Sequence, residues 1–384
     1  MYRQIIFDSA ADVAAEDWQR LETTADPFVS REFLGALEST QAAGERLGWR
    51  PMHLGLVDPH NRLVGLLPLY QRSHSFGDFS RDWSWEPAWR QAGLDYYPKL
   101  MSGVPYTPSP GPRLLADPAA SERISAALIA TAVELTNQAG ASSWQCLFVR
   151  EAERNLLAAS GLLLRRGVQF HWINPGYADF ADFLSGFRAA KRTKLKRERR
   201  SVMDAGLRIE TRHGDEIDDA LWPTIHRHYH DTFTRYGNHA ALSCKFFRRV
   251  GAGLGQRMVV FVAYLGERPV ASAVCYRNAT TLFGRHWGTD IACAGLHFEL
   301  CYYQGIEYAI TQGLRRFEPG AQGEHKLARG FEPVPTWSAF WIKDPRMRDT
   351  VEDFFRREDN AVQDYQAEMS DHLPFKQITN RNGL

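Results

Sequence analysis

The sequence lacks the features that would place it across a membrane, in an oxidising compartment or, as a whole molecule, on a polyanion. Its 46 basic and 45 acidic residues leave a formal net charge of only +1, so no strong overall field attracts nucleic acid. No run approaches the roughly 20 apolar residues of a membrane-spanning helix. The five cysteines are scattered without a C-x-x-C pair, which is typical of free thiols in a reducing cytosol. Because MYRQIIFDSAADV also lacks the apolar run of a signal peptide, we expect a cytoplasmic protein without a membrane span.

Apolar residues are plentiful by contrast. Hydrophobic residues make up 44% of the sequence and charged residues 24%, values that indicate a globular protein rather than a disordered chain or a coiled coil. A length of 384 residues exceeds what one average core supports, so two domains are expected. We predict an N-terminal domain at residues 1–172 and a C-terminal domain at 173–384.

A pair of short strands occurs twice. Residues 52–70 contain two apolar runs on either side of the polar turn 58–61. Residues 258–276 repeat this pattern around the turn 266–269. Apolar and β-branched runs that flank a short polar turn predict an antiparallel hairpin. The repeat therefore indicates a duplicated domain.

Each predicted hairpin is followed by a helix, a glycine and a strand. These elements are expected at 124–138, Gly140 and 144–149 in the first copy, and at 296–312, Gly313 and 314–318 in the second. Glycine just past a helix adopts the left-handed conformation that ends it. A helix that connects neighbouring strands implies a partly parallel, mixed sheet. The fold class predicted is α/β with mixed sheets.

A basic segment separates the two copies, and we predict a linking helix at 180–205. Residues 188–200 carry eight basic side chains against one acid. Such a run is usually a solvated helix face. The alternative is recognition of phosphates on a tRNA, a lipid pyrophosphate or a nucleotide-bearing donor, with Lys191 and Arg192 as contacts.

Several motifs together identify a family. They are GRHWG at 284–288, LHFE at 296–299 and GAQGEHK at 320–326, and, in the first half, LPLY at 67–70, YYPK at 96–99 and GPR at 111–113. Nearly the whole chain resembles bacterial GNAT-superfamily proteins described as N-acyltransferases or peptidoglycan-biosynthesis-like proteins, which are similar to Fem-type aminoacyl transferases. His286 departs from this resemblance, since tyrosine is expected there.

The resemblance implies two tandem GNAT-like (acyl-CoA N-acyltransferase) domains and transfer of an acyl or aminoacyl group to an amine. Ordinary GNAT enzymes hold the pyrophosphate of coenzyme A on a glycine-rich turn that opens the central helix. Here that place reads CAGLHFE at 293–299, with a single glycine. The missing turn therefore disfavours acetyl-CoA and favours an aminoacyl-tRNA or a noncanonical acyl carrier as donor, with acyl-CoA as the alternative. The acceptor expected is a small-molecule or peptide amine.

Amine acylation needs a neutral amine, a polarised carbonyl and a proton acceptor. The segment 318–326 is dense in ionisable residues at the end of a predicted strand, which is typical of a functional loop. The predicted catalytic residues are Glu324, His325, Glu318 and Glu299. The predicted substrate-binding residues are Arg285, His297, Gln322, Lys326, Lys191 and Arg192.

Two of these residues have structural alternatives. Glu299 lies near a helix N-terminus, where the helix dipole stabilises a carboxylate without any catalytic role. Arg285 lies on an otherwise apolar strand, where an unpaired guanidinium would be costly. It either pairs with Glu299 or Glu318, or binds a substrate carboxylate.

No metal site is predicted. His226 and His230 have the spacing of metal ligands on a helix, but no third ligand lies nearby in the sequence. Three function classes remain open: a Fem-like N-acyltransferase, an acetyl-CoA-dependent N-acetyltransferase, and a non-catalytic GNAT-fold binding module.

Overall fold

The computed structural model describes residues 2–321 and 323–376. Its strands are β1 (Arg3–Phe7), β2 (Trp49–Pro51), β3 (His53–Val57), β4 (Leu63–Leu67), β5 (Tyr70–Arg72), β6 (Lys99–Ser102), β7 (Leu115–Ala116), β8 (Ser143–Val149), β9 (Leu163–Ile173), β10 (Leu207–His213), β11 (Met258–Leu265), β12 (Arg268–Arg277), β13 (Thr281–Thr289), β14 (Arg316–Glu318) and β15 (Glu332–Ile342). Its helices are α1 (Ala15–Leu21), α2 (Arg31–Ser39), α3 (Glu86–Gln91), α4 (Ser121–Gln138), α5 (Glu151–Ala159), α6 (Phe180–Ser185), α7 (Ala189–Asp204), α8 (Trp222–Arg235), α9 (Cys244–Leu254), α10 (Leu296–Phe298), α11 (Gln304–Thr311) and α12 (Pro345–Asp371). A π-helical turn at Glu299–Tyr303 joins α10 to α11. None of these helices has the length and apolarity needed to cross a bilayer.

The chain forms two compact units. Unit 1 comprises Met1–Val168, Ala241–Leu254 and Pro335–Gln363, and unit 2 comprises Gln169–Ala240, Gly255–Val334 and the residues from Asp364 on. The predicted division after residue 172 falls close to the end of the first segment of unit 1. Each compact unit is assembled from three separate segments rather than from one continuous range. The assignment of 1–172 and 173–384 as the two domains therefore stays a prediction.

Unit 1 contains two sets of strands. The first has the order β1-β3-β4-β7 and is antiparallel. The second has the order β2-β5-β6-β8, and the last residues of β15 pair with β8. β6 and β8 are parallel, with Leu100 opposite Trp144. The helix α4 connects them and buries Leu128 and Ala132 in the core against this layer.

Unit 2 has the strand order β10-β11-β12-β13-β14, followed by the end of β9. The strands are antiparallel up to β13, and β14 is parallel to β13. The segment from α10 to α11 connects these two parallel strands. Its buried Leu300 and Ile306 join Phe261 and Phe317 of the sheet in one apolar core.

The two predicted hairpins are confirmed. The first lies in the set β1-β3-β4-β7, separate from the parallel pair β6 and β8, whereas the second is continuous with β13 and β14. Leu54 pairs with Leu67 in the first hairpin, and Val260 pairs with Val274 in the second. Each hairpin has an antiparallel strand on its outer side and leads to a parallel strand pair bridged by a helix. This is the order of a GNAT domain, so the α/β chain contains two tandem GNAT-like domains, as predicted.

The single linking helix predicted at 180–205 is wrong. Two helices occupy this region, and the chain leaves the helical path from Gly186 to Arg188. Glycine favours a helix end, and here its carbonyl accepts a hydrogen bond from the Lys376 backbone at 2.9 Å. The backbone of Arg188 donates to Pro374 at 3.1 Å. Pairing with a segment distant in sequence thus replaces one turn of helix.

Candidate functional site

The parallel strands β13 and β14 pair over only three residues, Thr281–Phe283 with Arg316–Glu318. β13 continues to Thr289, whereas the chain after β14 turns away through a loop with glycines at positions 320 and 323. The strands therefore separate beyond Glu318. We call the residues around this separation the strand-end site, and they are Arg285, Trp287, His297, Glu318, His325 and Lys326.

Arg285 enters the strand-end site through a β-bulge. Val274 pairs with His286 and Cys275 pairs with Gly284, so Arg285 is an extra residue in β13. A bulge of this kind redirects a side chain out of the regular alternation. Burial lowers the pKa of Arg285 to about 10, against the opposing influence of Tyr276 and Glu318. Of the two carboxylates expected as partners, Glu318 is the one close enough to act on Arg285.

Glu318 ends β14 and is buried. Its Oε1 lies 3.3 Å from Nη2 of Arg316 and 3.9 Å from Nδ1 of His171. Burial, reinforced by the charges of Arg316 and Lys326, holds the pKa of His171 well below its usual value, so this ring is neutral. His171 was not identified from the sequence because it lies on β9, far from Glu318 along the chain.

Lys326 is the most buried cation of the strand-end site, at 1% exposure. Its Nζ donates a hydrogen bond to the Gly320 carbonyl at 2.6 Å. Burial lowers the pKa of Lys326 to about 7. Cys301 opposes this shift, and the charge of Arg285 adds to it. A lysine with this pKa changes its charge near neutral pH, so an entering anion would favour the protonated form.

The loop geometry that brings Lys326 and His325 to the site depends on glycine. Gly323 has φ +114°, a conformation that other residues rarely adopt. A Cβ at position 323 would also lie 2.3 Å from the His325 ring. Gly320 also has a positive φ, +95°, so both glycines bend this loop, and the His325 ring packs directly on Gly323.

His325 and His297 are neutral histidines close to the positive charges of Lys326 and Arg329. His325 Nε2 and the Tyr302 hydroxyl are 2.7 Å apart, and the His297 and His325 rings are 6.2 Å apart. Burial lowers the pKa of His297 to about 4 and lowers that of His325, with Lys326 and Arg329 adding to both shifts. When Nε2 of His325 donates to Tyr302, Nδ1 is left as a proton acceptor.

Glu324 and Gln322 are the other two residues predicted in this loop. Glu324 is exposed, and its Oε1 accepts a hydrogen bond from the Tyr365 hydroxyl at 2.9 Å. Gln322 lies outside the described residues. The predicted catalytic role of Glu324 and the predicted substrate contact of Gln322 both stay predictions.

Glu299 takes part in a buried ion pair. It is 3% exposed and accepts hydrogen bonds from Nε and Nη2 of Arg199, the shortest at 2.8 Å. Gln304 donates a further hydrogen bond at 2.8 Å. Arg199 also reaches Glu307 at 2.8 Å. These contacts give Glu299 a structural role through Arg199, not the helix-dipole role named as its alternative, and its catalytic role stays a prediction.

The start of the central helix, where an ordinary GNAT enzyme binds pyrophosphate, lies against α7. A Cβ at Gly295 would be 2.9 Å from the Glu198 backbone oxygen. The Ser201 hydroxyl donates to the Ala294 carbonyl at 3.0 Å. Oxygen atoms of α7 therefore contact the turn that opens the central helix. Lys191 is exposed and Arg192 half-buried on the same helix.

Metal ligation has no geometric support in residues 2–321 and 323–376. These residues contain no group of three or more histidine, cysteine, aspartate or glutamate side chains that could hold a metal ion. The His226 and His230 rings lie 6.1 Å apart on α8.

Comparison with known proteins gives a family match. A family model described as FemAB-like, peptidoglycan biosynthesis/recognition, matches residues 9–377. The solved structure of FemX is 10% identical, with a TM-score of 0.56 over 91% of this chain and 100% of that chain. The C-terminal domain of a protein described as a lysylphosphatidylglycerol synthetase, from Agrobacterium fabrum, is 10% identical, with a TM-score of 0.51 over 83% and 96%. No curated protein matches. At these identities the two structures show a shared fold.

Proposed function

The chain belongs to the FemAB-like family, and on this premise we propose that it is an N-acyltransferase that moves an acyl or aminoacyl group to an amine acceptor. The observation that carries this proposal is a neutral imidazole, His325, held by Tyr302 beside the buried cation Lys326. Acyl transfer to an amine needs a proton acceptor and a positive charge near the carbonyl, and these two side chains supply them.

The chemical steps of the proposed reaction use three residues of the strand-end site, Arg285, His325 and Lys326. The neutral acceptor nitrogen attacks the acyl carbonyl carbon, so a C–N bond forms and the ester C–O bond to the donor breaks. His325 takes the proton from the nitrogen and passes it to the leaving oxygen. The negative charge that develops on the carbonyl oxygen is stabilised by the cations Lys326 and Arg285. His297 and Trp287, whose rings lie 4.6 Å apart, form an apolar side against which the substrate packs.

The proposed donor carries phosphate but is not a coenzyme A ester. The contacts of Glu198 and Ser201 support this choice, because they bring α7 against the turn on which ordinary GNAT enzymes hold the diphosphate. An aminoacyl-tRNA fits the requirement, with Lys191 and Arg192 of α7 as phosphate contacts. The acceptor is a small-molecule or peptide amine.

Acetyl-CoA is expected to leave the thermal stability of the protein unchanged. A ligand that binds only the folded state stabilises it by about 2.7 kcal/mol when its concentration is a hundredfold above Kd. Thermal unfolding with sub-millimolar acetyl-CoA measures this, and an authentic acetyl-CoA-dependent GNAT enzyme is the positive control. A clear rise in Tm would restore the acetyltransferase alternative.

Replacing both Lys191 and Arg192 by alanine is expected to weaken donor binding and to reduce its salt dependence. Each lost phosphate contact lowers the slope of log K against log salt by about 0.7–0.9. Binding of an aminoacylated tRNA pool over a series of salt concentrations measures both effects. The control is Arg235→Ala with Arg315→Ala, which removes two exposed cations away from α7. If the Lys191/Arg192 variant binds with wild-type affinity and the same slope of log K against log salt, this part of α7 is a solvated surface without a phosphate contact.

A further inference from the structure

A long groove lies beside α7 in unit 2, away from the strand-end site. Its volume is about 840 Å³, and it is bounded by α6, α7 and β10 together with part of the central helix. Its apolar lining consists of Phe180, Leu184, Val202, Met203, Leu207 and Ile209. Met203 is 67% exposed, a large fraction for a methionine beside an apolar groove. Phe180, Leu184, Val202 and Leu207 are buried in its floor, so Met203 and the half-buried Ile209 are its accessible apolar side chains.

The rim of this groove is cationic. Lys196 and Arg200 line it and lie four residues apart, so these two cations stand on one face of α7. Asp204 lies 3.7 Å from Arg200, but both side chains are largely exposed and such a pair is weak. The spacing along the helix suits a row of phosphates.

The lining of the groove distinguishes between two anionic partners. Single-stranded nucleic acid is held by aromatic rings on which bases stack. Apart from Phe180 the apolar lining is aliphatic, and the Arg199 guanidinium lies 4.4 Å from the centre of the Phe180 ring. Aliphatic side chains below a row of cations are suited instead to lipid, whose phosphates lie directly above acyl chains.

We propose that this groove docks the chain on the surface of a bilayer rich in anionic phospholipid. Lys196 and Arg200 contact the lipid phosphates, and Met203 enters the acyl-chain region beside Leu207 and Ile209. The inference is independent of the proposed function, because docking requires neither donor nor acceptor and its failure would leave the transfer reaction untouched.

The test is co-sedimentation of the full chain with vesicles. Wild type is expected to bind equal mixtures of phosphatidylglycerol and phosphatidylcholine and to ignore phosphatidylcholine alone. Loss of a cation near an anionic surface weakens binding about fivefold, so Lys196→Gln with Arg200→Gln is expected to weaken it about 25-fold. Met203→Asp is expected to weaken binding about tenfold or more through the lost apolar burial. Since Met203 is exposed, circular dichroism should show this variant folded.

The matched control is Arg235→Gln with Arg315→Gln, which changes the net charge equally but leaves the groove intact. Binding within about twofold of wild type is expected. The proposal is overturned by failure of wild type to bind anionic vesicles, or by equal loss in the control and groove variants with no effect of Met203→Asp. Binding of polyadenylate RNA that depends on Lys196 and Arg200, without vesicle binding, would assign the groove to nucleic acid instead.

Discussion

Replacing His325 by alanine is expected to slow transfer by about 10²–10⁴-fold, the range typical for loss of a general base. Donor affinity should stay close to that of wild type, because the proposed phosphate contacts lie on α7. Single-turnover transfer of a labelled amino acid from an aminoacyl-tRNA pool to an amine acceptor used by the wild type measures the rate. Filter binding of the same pool measures affinity.

The pH profile gives this prediction a second readout. Burial and the charges of Lys326 and Arg329 hold the pKa of His325 below its usual 6.5. A base works only when unprotonated, so kcat/KM of the wild type should fall as the pH drops through that pKa, and the alanine variant should lack this limb. His230→Ala removes an exposed histidine outside the strand-end site and should behave as wild type.

Glu324→Gln separates the neighbouring candidates. If Glu324→Gln slows transfer by about 10²–10⁴-fold and His325→Ala keeps the wild-type rate, Glu324 is the proton acceptor. If neither change affects transfer in a folded protein, the assignment of the proton acceptor is wrong. If the wild type itself transfers nothing, a non-catalytic binding module becomes the better interpretation.

Replacing Arg199 by alanine is expected to destabilise unit 2 by about 3–5 kcal/mol. The change leaves the Glu299 carboxylate, which is 3% exposed in the wild type, with the Gln304 amide as its remaining hydrogen-bond partner among the described residues, and an unpaired buried charge is costly. For a domain of this size each kcal/mol lowers Tm by roughly 2–4 °C. Chemical unfolding and thermal unfolding both measure the loss.

The neighbouring variant Arg200→Ala is the control, because that side chain is 78% exposed and its ion pair is weak. Arg199→Met combined with Glu299→Leu should recover most of the stability, since apolar replacement of a buried ion pair is often neutral. If this double variant still transfers the acyl group, Glu299 has a structural role and no catalytic one. A Tm of Arg199→Ala within about 1 °C of wild type would contradict the prediction.

The repeated order of elements could be predicted because local pattern determines it. Apolar runs around a short polar turn predict a hairpin wherever they occur, and Gly140 and Gly313 both end their helices with positive φ. The chain therefore carries two hairpin, helix and strand series that the structure confirms. By contrast, the helix predicted at 180–205 ignored the hydrogen bonds of Gly186 and Arg188 to the segment around residue 375.

Within the candidate site, the sequence indicated those ionisable residues that lie close together along the chain. The cluster from Glu318 to Lys326 is one loop, so its density of ionisable groups was visible without a structure. The partners that change the chemistry of these groups come from other elements: His171 from β9, and Tyr302 from the central helix.

By itself, the sequence determined the two mixed α/β repeats and the location of the ionisable loop, since both follow from neighbouring residues. Only the tertiary structure decided that Arg199 neutralises Glu299, that a bulge directs Arg285 toward Glu318, and that α7 covers Gly295. The physical reason is that pairing, burial and pKa depend on side chains brought together from about 30 to more than 100 residues away, and desolvation gives such contacts their energy. No periodicity along the chain records them.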